Sequence, residues 1–183
     1  MLRRIRSGDR EAAAKLVDAH YEALYRWLLH LCRDREWAAD LTQETFVQVW
    51  EDIGGFRGDA AVKTWMHRIA YHTYLRAQRG LRRNTVSLSE APAQGEPTEA
   101  VMTGHAVRAA LWRLPEKQRQ AVVLHYLQGL KVAEIAGVLD IPAGTVLSRL
   151  HTARRRLREL LCAELSPTTA EVRTDVTDAA SGQ

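Results

Sequence analysis

Near the C-terminal end of the chain, Thr145, Leu147, Ser148, Arg149, His151 and Thr152 are followed closely by Arg154, Arg155, Arg156 and Arg158. The first group carries hydroxyls, an imidazole, a guanidinium and an apolar tip, which can meet the donors, acceptors and thymine methyl of base edges. The arginines behind them suit phosphates, whose contacts fix register without reading sequence. This is binding chemistry, and it works only if one helix presents the early residues outward. The stretch "AEIAGVLDIPAGTVLSRLHTARRRLREL" supplies such an element. Residues 131–139 predict a short helix with Val132, Ile135, Ala136 and Leu139 inward. From Asp140 to Gly144 a turn is forced, Pro142 setting φ and Gly144 giving backbone freedom. Thr145 is expected to N-cap the next helix. There Val146, Leu150, Ala153, Leu157 and Leu161 form an apolar stripe, opposite Ser148, His151, Thr152, Arg155 and Arg158. A short helix followed by one with polar side chains at its start is helix-turn-helix geometry. The alternative is a helical hairpin with a solvated basic end.

A second set lies upstream. Arg68, His72, Arg76, Arg79 and Arg83 recur at helical spacing, with no acidic residue from Ala60 to Ser89. Trp65 shares that side, and Tyr71 and Tyr74 flank it. Cations with nearby aromatics suit single-stranded nucleic acid, whose bases stack on rings while arginines follow the backbone. Trp65 as a core residue is the competing reading. Before it, "ADLTQETFVQVWEDI" has Leu41, Thr45, Val49 and Ile53 on one face with Phe46 near its edge. Asp40, Gln43, Val47 and Trp50 form a second stripe, flanked by Glu44 and Glu51. Either the helix is buried on two sides, or an aromatic anchor rimmed by charge makes a docking surface.

The elements that must carry these residues are helical. The 183 residues are 46% hydrophobic and 26% charged with a net charge of +4, a globular balance leaning toward a polyanionic partner. Cys32 and Cys162 form no CxxC pair, so neither a disulfide framework nor a cysteine-rich zinc site is expected, and a reducing cytoplasm is the default. "MLRRIRSGDREAAAK" has no apolar core behind its arginines and does not read as a secretory signal. No apolar run approaches the roughly 18 residues that cross a bilayer. Periodicity predicts one long helix over "DREAAAKLVDAHYEALYRWLLHL", residues 9–31, along Leu16, His20, Ala23, Leu24, Trp27, Leu28 and Leu31. A charged break, "CRDREWA", separates it from the "ADLTQETFVQVWEDI" helix, which stops at Gly54-Gly55. After the loop "FRGDAAVK" a third helix is expected from near Thr64 to about Arg79. Helices follow over "HAVRAALWRL" and, opened by Pro115 and closed by Gly129, "EKQRQAVVLHYLQ". The fold class is all-α, two small helical domains joined by a flexible linker. The boundaries are 1–80, a linker at 81–104 rich in Pro, Gly and small polar residues, a helix-turn-helix domain at 105–165, and a disordered tail at 166–183.

In order, "DLTQETFVQVW", "FRGDAAVKTWMHRIA", "LPEKQRQAVVLHYLQGL" and "AEIAGVLDIPAGTVLSRLHTARRRL" resemble bacterial RNA polymerase sigma factors of the extracytoplasmic-function (ECF) type, over residues 8–161. The resemblance implies a promoter-specificity subunit with no cofactor. Asp40, Gln43, Glu44, Val47 and Trp50 would dock on the β′ clamp helices of core RNA polymerase, with the β subunit a further partner. Phe56, Arg57, Asp59, Val62, Lys63 and Trp65 would capture a flipped, unpaired base of the −10 element. Arg68, His72, Arg76 and Arg79 would hold the nontemplate strand. Thr145, Leu147, Ser148, Arg149, His151, Thr152, Arg154, Arg155 and Arg158 would meet the −35 duplex. Promoter DNA is thus implied in both duplex and single-stranded form, and an anti-sigma factor is implied as inhibitor. The chain departs from the family pattern at His72, where Asn is frequent, and at Arg76, where Asp is. It also departs at Leu147 and Thr152, often basic, and at Asp140, often glycine, so relatives' promoter sequences do not transfer.

Two other function classes compete. A stand-alone regulator would share the "EIA…TV" helix pair, but the N-terminal half shows no alternating β/α pattern for a receiver domain. An enzyme is disfavoured because there is no HExxH pair, phosphate-cradling glycine loop or nucleophile signature, and His30 with Cys32 lacks paired metal ligands.

Overall fold

The computed structural model describes residues 2–84 and 100–165. A short α1 (Leu2–Arg6) precedes α2 (Arg10–Cys32), α3 (Arg35–Asp52) and α4 (Val62–Asn84). Then come α5 (Ala100–Trp112), α6 (Glu116–Val122), α7 (Val132–Leu139) and α8 (Ala143–Leu165). All the regular elements of the described residues are helical, as the periodicity predicts. The expected tail and the central part of the expected linker, 85–99, lie outside the described residues. The linker's two edges, 81–84 and 100–104, are helical extensions of α4 and α5.

Caps explain where several helices start differently from expectation. Asp9 accepts the Ala12 amide at 3.0 Å and begins α2. Asp34 accepts the Trp37 amide at 2.8 Å, so the "charged break" is only two residues and α3 begins at Arg35. Between them Arg33 takes a left-handed conformation, φ 60°, closing α2. The helix after the turn begins at Ala143, where the Pro142 carbonyl accepts from Thr145 N–H at 2.9 Å. Thr145 is therefore inside the first turn and not its N-cap. Beyond α6 the chain widens into a π-helical turn over Val123–Leu127, closed by Gly129 at φ 68°.

Asp140 closes α7 with φ 53° and ψ 52°. This left-handed conformation is costly for residues with a Cβ and cheap for glycine. Asp140→Gly is expected to stabilise the chain by about 0.5–1 kcal/mol, part of the relief being offset by the freer unfolded state. Thermal unfolding checks this; no gain would mean the turn is relaxed with aspartate.

Leu16, Leu24, Trp27 and Leu28 of α2 pack with Leu41 and Val49 of α3 and Met66 and Ala70 of α4. The same hydrophobic cluster continues without interruption into Leu124, Ile135, Val138, Val146 and Ala153 of the C-terminal half. Two helical halves exist, but they share one core. Tyr74, expected beside the basic stripe, is only 3% exposed and belongs to that core. Its hydroxyl sits 3.3 Å from Glu116 of α6 and donates toward the Leu31 carbonyl at 3.5 Å.

Polar contacts reinforce the junction. Arg119 of α6 is 3% exposed, and its Nε donates to the His30 carbonyl in the last turn of α2 at 3.1 Å. Conversely Arg33, just past α2, donates to the Trp112 carbonyl that ends α5 at 3.0 Å. Each arginine thus caps the other half's helix end, where carbonyls lack intrahelical partners and the dipole favours a cation. Both guanidiniums also lie 5.2 Å from the Trp112 ring centroid.

Candidate nucleic-acid interface

An open groove of about 510 Å³ runs between α3 and α4. Arg68, His72, Arg76 and Arg79 line it from α4, and Gln48 and Asp52 from α3. Four of the five expected stripe residues thus come together because they share one face of α4; the side chain of Arg83 lies outside the description. His72 has its pKa lowered, first by burial and next by Arg68, which favours the neutral ring, able to donate from one nitrogen and accept at the other. Trp65 is half-buried and reconciles both readings: it packs on the core and also borders the groove. Its ring lies 4.8 Å from that of Phe56.

The loop carrying Phe56 is held by a residue that the sequence does not single out. Arg6 of α1 donates through Nε to the Ile53 carbonyl at 2.9 Å and through its terminal nitrogen to the Phe56 carbonyl. Arg57 and Asp59 are exposed in that loop, and Val62 and Lys63 are half-buried at the start of α4. Lys63 turns away from the groove and donates to the Gln128 carbonyl of the other half. Gln48 is a second omission. Its Oε1 accepts from both terminal nitrogens of Arg76, at 3.2 and 3.3 Å, while its Nε2 donates to Glu51 at 3.1 Å and Asp52 at 3.2 Å. The carboxylates fix the amide's orientation, and the amide fixes the guanidinium. Only the partner from α4 gives Gln48 this role, so no local pattern marks it.

On the outer side of α3, Asp40, Gln43, Glu44 and Val47 are exposed, Val47 at 55%. One face is therefore core and the other open, which removes the two-sided burial alternative for these four. Trp50 differs from expectation: it is half-buried, 6.5 Å from the Phe46 ring, and so is part anchor and part packing.

In α8, Val146, Leu150 and Ala153 are buried against α6 and α7. Leu147, Ser148, His151, Arg154, Arg155 and Arg158 face solvent, and Thr145, Arg149 and Thr152 are half-buried. The exposed residues run from the turn to the later arginines along one continuous surface. Elsewhere the His30 ring lies tilted against Trp112, with centroids 5.2 Å apart. The Cys32 thiol donates to the Leu28 carbonyl at 3.1 Å, and burial raises its pKa to about 11.

Comparison with known proteins gives two family matches. Residues 16–84 match "Sigma-70 region 2", and residues 104–157 match "Sigma-70, region 4". The chain is 38% identical over 156 residues to the ECF RNA polymerase sigma factor SigM of Mycobacterium tuberculosis, covering 85% of this chain and 80% of that protein. It is 28% identical to the ECF RNA polymerase sigma factor SigW of Bacillus subtilis, covering 87% of this chain and 94% of that protein. Among solved structures, CnrH in complex with the cytosolic domain of CnrY aligns with a TM-score of 0.67 at 27% identity, covering 89% of this chain and 96% of that one.

Proposed function

Because the chain belongs to the ECF sigma factors of the sigma-70 family, we propose that its α3–α4 groove and its α8 surface divide the reading of a promoter between them. As a sigma factor it binds core RNA polymerase, directs it to promoter DNA and promotes strand opening, with no catalytic step of its own. The observation that carries the reading is the coincidence of the region 2 match with the basic groove, and of the region 4 match with an outward-facing α8.

In this reading Asp40, Gln43, Glu44 and Val47, with the exposed part of Trp50, dock on core polymerase. Phe56, Arg57, Asp59, Val62, Lys63 and Trp65 form the edge that captures a −10 base. A flipped base must leave its stack, and the Phe56–Trp65 ring pair offers an apolar surface to receive it. Arg68, His72, Arg76 and Arg79 hold the separated strand. In the duplex, Thr145, Leu147, Ser148, Arg149, His151 and Thr152 face base edges, and Arg154, Arg155 and Arg158 face phosphates. Leu147 has no donor for guanine and favours a thymine methyl. An anti-sigma factor is the expected inhibitor; the sigma factor RpoE of Bartonella quintana, alike in fold, is solved in complex with the anti-sigma factor NepR. No helix among the described residues is long and apolar enough to cross a membrane, consistent with a cytoplasmic site of action beside polymerase.

Run-off transcription with purified core polymerase and a library of promoter fragments tests this. Start-site-specific transcripts dependent on this protein are expected. No stimulation, together with no polymerase binding, would instead favour a regulator that binds duplex DNA alone.

A further inference from the structure

We propose that Gln48 of α3 is a positioning residue for the strand-holding groove: its neutral amide stands between Arg76 and the carboxylates of Glu51 and Asp52, and so keeps that guanidinium available to a phosphate of single-stranded DNA. The proposal rests on the reading of the α3–α4 groove as the seat of the separated strand.

Gln48, Glu51 and Asp52 fall at i, i+3 and i+4 on α3, so their side chains share one turn of that helix. Arg76 comes to this turn from α4. An amide has two N–H donors at one end and an acceptor oxygen at the other, whereas a carboxylate can only accept. The donors of Gln48 are spent on Glu51 Oε2 at 3.1 Å and Asp52 Oδ2 at 3.2 Å. Its oxygen is thereby turned to Arg76, which donates to it from both terminal nitrogens. The reversed amide would set an oxygen against two carboxylates and N–H groups against a cation. One orientation is enforced.

The consequence is electrostatic. Asp52 and Arg76 both line the groove, yet an amide group and two hydrogen bonds keep them beyond ion-pair distance. Among the described residues the one ion-pair contact of Arg76 is Glu44 at 4.0 Å, where both side chains are more than half exposed and pairing is weak. A guanidinium has five N–H donors. Gln48 takes two and the Thr73 hydroxyl a third, at 3.2 Å, which leaves two for a phosphate oxygen. Without Gln48 the flexible arginine stem lets the guanidinium turn to Asp52, and the charge that the strand needs is neutralised within the protein.

The test uses holoenzyme assembled from the full chain and purified core RNA polymerase, with core alone as the blank. The probe is a fluorescently labelled pool of single-stranded DNA of random sequence, titrated over a range of salt concentrations; thermal unfolding verifies the fold of each variant. Each phosphate contact to a single strand contributes about 0.7 to the slope of log affinity against log salt, so losing one costs about fivefold at ~0.1 M salt. Arg76→Ala is expected to show that loss. Gln48→Ala is expected to lose most of the same slope although it removes no charge. Gln48→Glu is expected to lose it too, because a third carboxylate on this turn pairs with the arginine outright. In the Arg76→Ala background, Gln48→Ala is expected to change nothing further. A wild-type slope in folded Gln48→Ala or Gln48→Glu, beside a reduced one in Arg76→Ala, overturns the positioning role and leaves the groove reading standing. A further loss from Gln48→Ala in the Arg76→Ala background also overturns it, since Gln48 would then act on the strand without Arg76. A wild-type slope in Arg76→Ala overturns the groove reading at this arginine, and the proposal with it.

Discussion

Val47→Glu is expected to weaken binding to core RNA polymerase about thirtyfold while leaving thermal stability unchanged. The size corresponds to about 2 kcal/mol, the loss usual when an apolar residue central to an interface is replaced. Val47 is 55% exposed on α3 and sits among Gln43, Glu44 and Glu51, so a glutamate there adds repulsion without disturbing the core. Trp50→Ala is the less clean test. Its ring packs beside Phe46, and removing it costs stability as well as docking surface. Equilibrium binding to core polymerase, with unfolding curves for both variants, separates the effects. Wild-type affinity in a folded Val47→Glu protein would reject the docking assignment.

Acidification from pH 7.5 to 5 is expected to destabilise the folded chain by about 2 kcal/mol for each of two histidines. His30 and His67 both have pKa values lowered from 6.5 to about 4, in each case mainly by burial. His30 also faces Arg119 and Arg108, and His67 faces Lys63 and His20, so no neighbouring carboxylate compensates a proton on either ring. A charged imidazole is thus tolerated better in the unfolded chain. The stability these residues confer is fully present above pH 6.5 and is lost as pH falls from 6.5 toward 4. Asp9 and Glu134 have pKa values lowered by hydrogen bonding, so the stability they confer is present above their ordinary values of 3.8 and 4.5 and is lost as pH falls through the lowered ones. Thermal unfolding between pH 5 and 7.5 measures the total, and His67→Gln is expected to flatten its share of the slope. A midpoint independent of pH across this window would show that neither ring is buried as described.

How much of this was legible beforehand follows from how far apart the interacting residues lie. The α7–turn–α8 unit could be read from the sequence alone, because its apolar stripe, its Pro142 and its arginines are all set by helical period and local backbone restriction. So could the basic face of α4 and the split faces of α3. Side-chain periodicity places Arg68, His72, Arg76 and Arg79 together whatever the rest of the chain does.

Tertiary structure decided the rest. Thr145 lost its cap role because Pro142 already serves the first turn, and Tyr74 left the basic stripe for a core completed by α6. Gln48 gained a role only when Arg76 approached from another helix. The junction between the halves is the extreme case: Arg119 reaches His30 across 89 positions and Gln128 reaches Ala23 across 105. Such pairs leave no periodic mark, since each residue alone reads as an ordinary polar position on a helix. The sequence by itself determined which side chains share an outward face, because faces follow from local periodicity. How the two halves pack on each other was decided only by the core they share.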